Sequence, residues 1–169
     1  KRYFFVKDPI KLKITNVPIR SVTLKHHPTE NLGSRTIIIS DEFWVSSEDL
    51  SNSSEGEVIR LMDLFNIKIK KKTKMIIEAD FASRKPIPKV KKIHWVATDG
   101  IPFKLRIPDN NEFFINSDGS FQFKDESDKT YDGFAENSCK SLLKGELIQF
   151  NRIGFCRVDS PNLAILSHK

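Results

Sequence analysis

Histidines and clustered carboxylates are the side chains of this sequence that could support a metal site or acid–base catalysis. The histidines are His26, His27, His94 and His168. His26 and His27 are adjacent, and neighbours on a strand point to opposite faces, so the pair does not readily share one metal ion. Asp125, Glu126 and Asp128 lie in a polar, turn-like stretch where hydrated loop charge explains them better than acid–base chemistry. Because the glycine-rich phosphate loop and the nucleophile elbow are also missing, we expect no metal ion and no catalytic residue in this chain.

Two basic runs could instead contact the phosphates of a nucleic acid. The first holds Lys68, Lys70, Lys71, Lys72 and Lys74, and the second holds Arg84, Lys85, Lys89, Lys91 and Lys92. The net charge of +6 permits such a polyanionic partner without demanding one. We take Lys68, Lys70, Lys71 and Lys72 as candidate phosphate contacts, which would weaken as salt rises. A solvated hairpin tip is the other interpretation, and neither run has the interleaved aromatic residues of a base-stacking strip.

Alternating residues predict an almost wholly β chain. Apolar and charged residues alternate at 11–15, 67–70 and 103–107, as in half-buried strands. Denser runs of β-branched and aromatic residues predict further strands at 36–39, 75–79, 93–97 and 147–150. Proline and glycine interrupt these segments at short intervals, which is typical of sandwiches and barrels. Helix is expected only at 47–50 and 135–143, and no internal sequence repeat is convincing.

The composition favours a small intracellular domain. Of the 169 residues, 38% are hydrophobic, which is enough to bury a core. The two cysteines, Cys139 and Cys156, form neither a disulfide framework nor a zinc set and fit a reducing compartment. The chain opens on Lys1-Arg2-Tyr3 without a methionine, so we expect it to be an internal segment of a longer protein.

Six short strings follow one another in a fixed order at residues 2–12, 27–35, 43–50, 56–66, 93–96 and 145–159. The last reads GELIQF-x-RIGF-x-RVD. Together they resemble the C-terminal anticodon-binding region of class I glutaminyl- and archaeal-type glutamyl-tRNA synthetases. The string LMDLFN at 61–66 and the ending at 164–169 look closest to the archaeal glutamyl enzymes. The polar stretch 110–137 departs from the family and carries none of its strings.

The resemblance implies an all-β fold of two small six-stranded β-barrels, the ribosomal-protein-like anticodon-binding barrels of this family. In the resembling enzymes the barrel nearer the catalytic half is built from both chain ends, and the other barrel is inserted. This predicts residues 1–14 and 96–169 for the first barrel and 15–95 for the distal one. The ATP and magnesium of such enzymes belong to the catalytic half, so we expect a fragment that binds tRNA, needs no cofactor and performs no chemistry itself.

The resemblance also implies which residues read the anticodon. By matching positions, Arg2, Gln149 and Arg152 would hold the middle base, which is uridine in both glutamate and glutamine tRNAs. An amide offers a donor and an acceptor at one tip, and a guanidinium offers a planar fork. Gln149 and Arg152 take opposite faces of a regular strand, so their convergence predicts a twist or bulge near Asn151. Arg60 would handle the first base, or else form a strand-end ion pair with Asp63.

Barrel cores are the expected place for the aromatic residues of these strings, because each would bury a large apolar area. They are Phe4, Trp44, Trp95 and Phe155.

The leading expectation is recognition of the anticodon loop and stem of tRNA(Glu) by the C-terminal part of a cytoplasmic glutamate–tRNA ligase, with neither DNA nor membrane as partner. The glutaminyl relatives have a basic pair before the strand that follows Gly56, for a guanine at the third anticodon position. Ser51 and Asn52 stand there in this sequence, which mildly favours glutamate. The glutaminyl enzyme, a free-standing barrel that binds ribosomal RNA and a protein-interaction module stay open as alternatives.

Overall fold

The computed structural model describes residues 1–108, 113–115, 117–118, 121–123 and 128–168, and their regular structure is almost entirely β, as the alternation predicts. The strands are β1 (Arg2–Tyr3), β2 (Phe5–Lys7), β3 (Pro9–Thr15), β4 (Ser21–Lys25), β5 (Ser34–Ile38), β6 (Glu42–Ser46), β7 (Val58–Leu61), β8 (Asn66–Lys72), β9 (Ile76–Ser83), β10 (Lys92–Ile93), β11 (Val96–Ala97), β12 (Ile101–Pro108), β13 (Phe113–Ile115), β14 (Phe121–Phe123), β15 (Asp128–Ala135), β16 (Leu147–Phe150), β17 (Gly154–Ser160) and β18 (Leu163–His168).

Helical structure in the described part is confined to the two places where it is expected. The helix α1 spans Ser47–Leu50, and a 3-10 helix spans Asn137–Ser141, shorter than the predicted 135–143. Asp125, Glu126 and part of the stretch 110–137 lie outside the described residues.

Each of the two large sheets closes on itself through one interrupted strand. One has the order β1-β16-β17-β18-β12-β15-β2, and the other has the order β10-β7-β8-β9-β3-β6-β11. The outermost strands are neighbours in sequence, since β1 and β2 are separated only by Phe4, and β10 and β11 only by His94 and Trp95. Each such pair is one interrupted strand whose halves join opposite edges of the sheet. Counted once, it leaves six strands in each sheet, which confirms the expected fold of two small six-stranded barrels.

The two barrels share one pairing pattern. Beginning at β1 and at β10, the successive pairs are parallel, antiparallel, antiparallel, parallel, antiparallel and antiparallel. The interrupted strand comes first along the chain in one barrel and last in the other. The barrels are therefore circular permutations of one topology.

Residues 56–69 and 145–158 occupy equivalent places in the two barrels. Gly56 and Gly145 have φ of 85° and 90°, a conformation that favours glycine. Their N–H groups donate to Ile69 O at 2.7 Å and Val158 O at 2.8 Å, and the N–H groups of Ile69 and Val158 donate back to the residue after each glycine at 2.9 Å. The barrels therefore share this local structure although the sequence shows no convincing repeat. The matching letters, GEVI and GELI, are too few to stand out, and the permuted strand order hides the rest.

The segment Tyr3–Val6 lies between the two hydrophobic cores. Tyr3 and Phe5 belong to one core, Phe4 and Val6 belong to the other, and all four are buried. The ring of Phe4 lies 5.7 Å from that of Trp95, in the interruption of the other closing strand. Beyond Val6 and Lys7 the chain changes sheets, and Pro9–Thr15 pairs with β6 and β9. The domain bounds at 14/15 and 95/96 stay a prediction.

Three of the four aromatic residues expected in the cores contribute to packing between or within the barrels. Phe4 and Trp95 are fully buried. Trp44 is half-buried and stacks on Phe134 of the other barrel, with ring centroids 4.6 Å apart and an interplanar angle of 7°. The expectation for Phe155 was wrong, because 44% of it is exposed on the outer face of β17.

A buried ion pair secures the interruption at Phe4. The Phe4 N–H donates to Glu136 Oε1 at 2.7 Å. Arg35 Nε and Nη2 donate to the two oxygens of the same carboxylate at 2.6 and 2.7 Å, and both side chains are more than nine-tenths buried. Two parallel charge-assisted bonds are the strong form of this pair. Glu136 thus joins the hairpin β4–β5 to the closing strand of the first barrel.

Glu136→Ala should lower the free energy of unfolding by about 3–5 kcal/mol, because it leaves the buried Arg35 guanidinium without a counter-charge. Urea unfolding of the variant against the wild-type chain measures the loss. Asp132→Ala is the matched control, because its carboxylate pairs with Lys104 at 3.4 Å while its side chain is 82% exposed. That control should change the free energy by less than about 0.5 kcal/mol. Equal losses in the two variants would contradict the role given to Glu136.

Candidate nucleic-acid interface

Arg2 and Gln149 meet at the edge where the first barrel closes. The strands β1 and β16 pair in parallel with Arg2 opposite Gln149. Arg2 Nε donates to Gln149 Oε1 at 2.8 Å, and the Gln149 N–H donates to Lys1 O at 2.9 Å. The two residues are 147 positions apart in sequence, so only barrel closure brings them together.

This pair can present donors and an acceptor to a planar partner. Among the described residues, the hydrogen bond to Gln149 is the one that holds the Arg2 guanidinium. The Gln149 amide keeps its Nε2 donor, and its carbonyl oxygen has a second lone pair. Arg2 also lines a groove of about 360 Å³ with Lys25, His27 and Asn151. The pair therefore suits the pairing edge of an unstacked base.

Arg152 lies on a tight turn that follows the Gln149 strand. The Ile153 N–H donates to Phe150 O at 3.0 Å, and Arg152 has a φ of 65°. A turn, rather than a bulge, therefore lies at the place where a change of direction is expected. It sends the Arg152 guanidinium to Lys92 O at 3.0 Å and to the Asp49 carboxylate at 3.4 Å. Among the described residues, the Arg152 guanidinium thus has Asp49 and the closing strand of the second barrel as partners, and its convergence with Gln149 stays a prediction.

Arg152 lines a second groove of about 620 Å³ between the barrels. Its other polar lining includes Lys91, His94, Ser51 and Asn52. The Lys91 ammonium donates to the backbone oxygen of Asp49. Burial lowers the pKa of His94, and the nearby Arg152 charge acts in the same direction, while Asp49, 3.8 Å from Nδ1, opposes them. At neutral pH His94 is therefore uncharged, and it shares the groove with the cations Lys91 and Arg152.

Arg60 is buried and its hydrogen bonds go to neutral oxygens. Its Nη1 donates to Asn66 Oδ1 and Arg84 O at 3.1 Å, and its Nη2 donates to Leu64 O at 3.3 Å. These bonds fix the segment after β9 against β7, and the alternative pairing with Asp63 is not the one seen. Arg60 occupies the place in the second barrel that Gln149 occupies in the first, opposite Lys92 instead of Arg2.

Carboxylates of the adjoining strand lie near three of the five lysines of the first basic run. Lys68 lies opposite Asp80, and Lys71 lies opposite Glu78. Lys70 Nζ lies 3.5 Å from Asp80 Oδ1. Lys68, Lys70 and Lys71 are nevertheless exposed, so they remain accessible to phosphate.

The Lys72 ammonium is bound to backbone oxygens of the chain itself. It donates to Leu50 O at 2.5 Å, Ser51 O at 2.7 Å and Ser53 O at 3.1 Å, at the C-terminal end of α1. Such carbonyls lack helical partners and attract a cation.

Sequence reasoning missed Asp49 and Glu136, the carboxylates that hold Arg152 and Arg35. Asp49 carries only the ordinary signal of an acidic residue near a helix start, and Glu136 lies within the stretch 110–137, which has no family string. Within the described ranges, no group of three or more histidines, cysteines or carboxylates is arranged to hold a metal ion. No helix in that part of the chain is both long and apolar enough to cross a membrane.

Comparison with known proteins gives a consistent result along the chain. Two family profiles described as the anticodon-binding domain of class I (E and Q) tRNA synthetases match residues 1–82 and 92–159. The chain is 36% identical over 169 residues to the glutamate–tRNA ligase of Nitrosopumilus maritimus. It is 32% identical over 173 residues to that of Methanococcoides burtonii and 31% identical over 175 residues to that of Methanosarcina mazei. These alignments cover 99% of the chain but only 28%, 27% and 27% of the relatives.

The buried His94 should make the fold sensitive to acid. Burial lowers its folded-state pKa. Below about pH 6.5, His94 therefore binds a proton in the unfolded chain but stays neutral in the folded chain. The free energy of unfolding should therefore fall as the pH drops through this value, and His94→Gln should reduce that fall. Urea unfolding at a series of pH values measures both. An equally steep fall in the two proteins would contradict the prediction.

Proposed function

Because the chain belongs to the anticodon-binding domain family of the class I glutamyl- and glutaminyl-tRNA synthetases, we propose that it binds the anticodon loop and stem of a glutamate tRNA. In the whole protein this binding would serve the ATP-dependent joining of glutamate to that tRNA in the cytoplasm, by a catalytic half not included in these residues. The observation that carries the proposal is the Arg2–Gln149 pair, formed by residues from both ends of the chain.

The chemistry of this pair suits uridine, the middle base. Uracil presents an oxygen, an N–H and a second oxygen along its pairing edge. The Gln149 amide can donate to one oxygen and accept from the N–H, and Arg2 can donate to the other oxygen. The bases of an anticodon loop are unpaired, so they can be turned out and read on this edge. Arg152 would join the pair after exchanging its Asp49 contact for RNA, and Arg60 would handle the first base.

The end of α1 supports glutamate over glutamine as the cognate amino acid. Ser51 and Asn52 are exposed there and line the groove that holds Arg152. The Ser51 hydroxyl donates to Glu48 O at 2.9 Å, so the residue closes the helix and offers no cation. A site for guanine at the third position would favour a basic pair, whereas cytosine does not demand one. The relatives compared above are all glutamate–tRNA ligases.

Binding of a glutamate tRNA should weaken steeply as salt rises, because lysine and arginine contacts to phosphate release counterions. Titration of tRNA at two salt concentrations tests the proposal, with a glutamine tRNA as competitor to compare the two cognates. Neutralising Lys68, Lys70 and Lys71 together to glutamine should weaken all tRNAs alike and lower the slope of log affinity against log salt by about 0.7 for each lost contact. Lack of salt-sensitive binding by the wild-type chain would instead favour a protein-interaction module.

Gln149→Ala should weaken binding only when the middle uridine is present. The loss should be about 1–3 kcal/mol, the range for a specific base contact. Replacing the middle base should cost the wild-type chain a similar amount and the variant little more, because the same contact is then removed twice. The four combinations of chain and RNA are measured at one salt concentration. Simple addition of the two losses would show that Gln149 does not read this base.

A further inference from the structure

An exposed aromatic pair lies on the outer face of the first barrel. The ring of Phe155 stacks on the imidazole of His168, with centroids 4.6 Å apart and an interplanar angle of 16°. Phe155 is 44% exposed, whereas its strand neighbours Gly154 and Cys156 are buried on the inner face. The ring therefore contributes little to the core, and burial does not explain an aromatic residue at this position.

The aromatic pair continues the row that begins with the Arg2–Gln149 pair. Across four adjacent strands, Arg2 lies opposite Gln149, Gln149 opposite Phe155, and Phe155 opposite His168. Side chains directly opposite each other on neighbouring strands stand on the same face of a sheet. A base-reading pair and an aromatic stack are thus adjacent on one surface.

The face of the Phe155 ring away from His168 is inferred to lie on the side of Gln149. Neighbouring strands lie ~4.7–4.9 Å apart, which matches the 4.6 Å between the rings of Phe155 and His168. Since the imidazole covers the ring from the β18 side, the uncovered face is on the β16 side, where Gln149 lies.

The second barrel shows that the fold does not require an aromatic residue here. Phe155 is equivalent to Asn66, since each lies ten positions after its glycine, Gly145 or Gly56. Asn66 is fully buried, and its amide donates to Ser83 Oγ and Lys85 O at 2.7 and 2.6 Å. The side chain at this position is therefore buried in the second barrel and exposed in the first.

We propose that Phe155, backed by His168, is a stacking platform for an unpaired base of the loop whose middle base Arg2 and Gln149 contact. This rests on the proposed function and adds a binding subsite to it. Aromatic rings bind bases through their faces, whatever the base. Arg157 lies on the same face, about 7 Å further along the strand, and is exposed. With a cation on each side, at Arg2 and Arg157, the surface suits RNA better than an apolar protein segment.

The test compares variants of Phe155 in titrations of the chain with an RNA hairpin that carries the anticodon stem and loop of a glutamate tRNA. Phe155→Ala should weaken binding about 5- to 150-fold, the range for loss of one stacked base. Phe155→Trp, which keeps an aromatic face, should bind within about threefold of the wild type. Leu147→Ala is the matched control, because Leu147 is 73% exposed on the same face but has no ring. It should also bind within about threefold of the wild type.

Loss of a base identifies the stacked position. Hairpins that lack one base at a time are titrated with the wild-type chain and with Phe155→Ala. At one loop position, removing the base should weaken binding to the wild type and have little further effect on the variant. The salt dependence should stay the same in Phe155→Ala, because no cation is removed.

Three outcomes would overturn the platform. They are unchanged binding by Phe155→Ala, equal losses in Phe155→Ala and Phe155→Trp with an intact thermal unfolding transition, and equal losses at every loop position. Each leaves anticodon binding by the wild-type chain in place, so the platform alone would fail. A wild-type chain that does not bind the hairpin would overturn the proposed function and the platform together.

Discussion

The buried carboxylate of Glu136 holds the point at which both barrels meet. A strand that serves two edges of the same sheet must be interrupted, and the interruption leaves backbone groups without partners in the ladder. At Phe4 the Glu136 carboxylate accepts the free N–H, and Arg35 neutralises the carboxylate. The same interruption turns the Phe4 ring into the second core, against Trp95. Closure of one barrel and docking of the other therefore depend on one short segment.

Closure also creates the site proposed for the anticodon. Arg2 can pair with Gln149 only because β1 joins the edge formed by β16, and Arg152 reaches Lys92 because the second barrel closes beside the turn after β16. Residues that are far apart in sequence are held on backbone that is fixed by ladder hydrogen bonds. A site built in this way is preorganised, so less of the binding free energy is lost in ordering the side chains.

The two barrels use their equivalent positions differently. In the second barrel Arg60 and Asn66 bond to each other and to backbone carbonyls, so their polar groups stabilise the fold. In the first barrel Gln149 and Phe155 lie at the same places on an open face. Charge is distributed unevenly as well, because Lys68 and Lys71 have carboxylates opposite them on the adjoining strand. Arg2 and Arg157 belong to the open face, which makes it the better surface for RNA.

The sequence by itself determined the β class, the short helix at 47–50, the order of the family strings and the residues of the Arg2–Gln149 pair. These depend on local alternation, on turn residues and on matching letters, all of which can be read along the chain. Only the tertiary structure decided that Phe155 is exposed, that Arg152 turns to Asp49, that Arg60 is buried among neutral oxygens and that the barrels repeat one topology. Each of these depends on which strands become neighbours and on which face of a sheet is covered, and the sequence does not display either of them locally. A period of two places a side chain on one of two faces, but only closure of the barrel decides which face meets a core and which meets solvent.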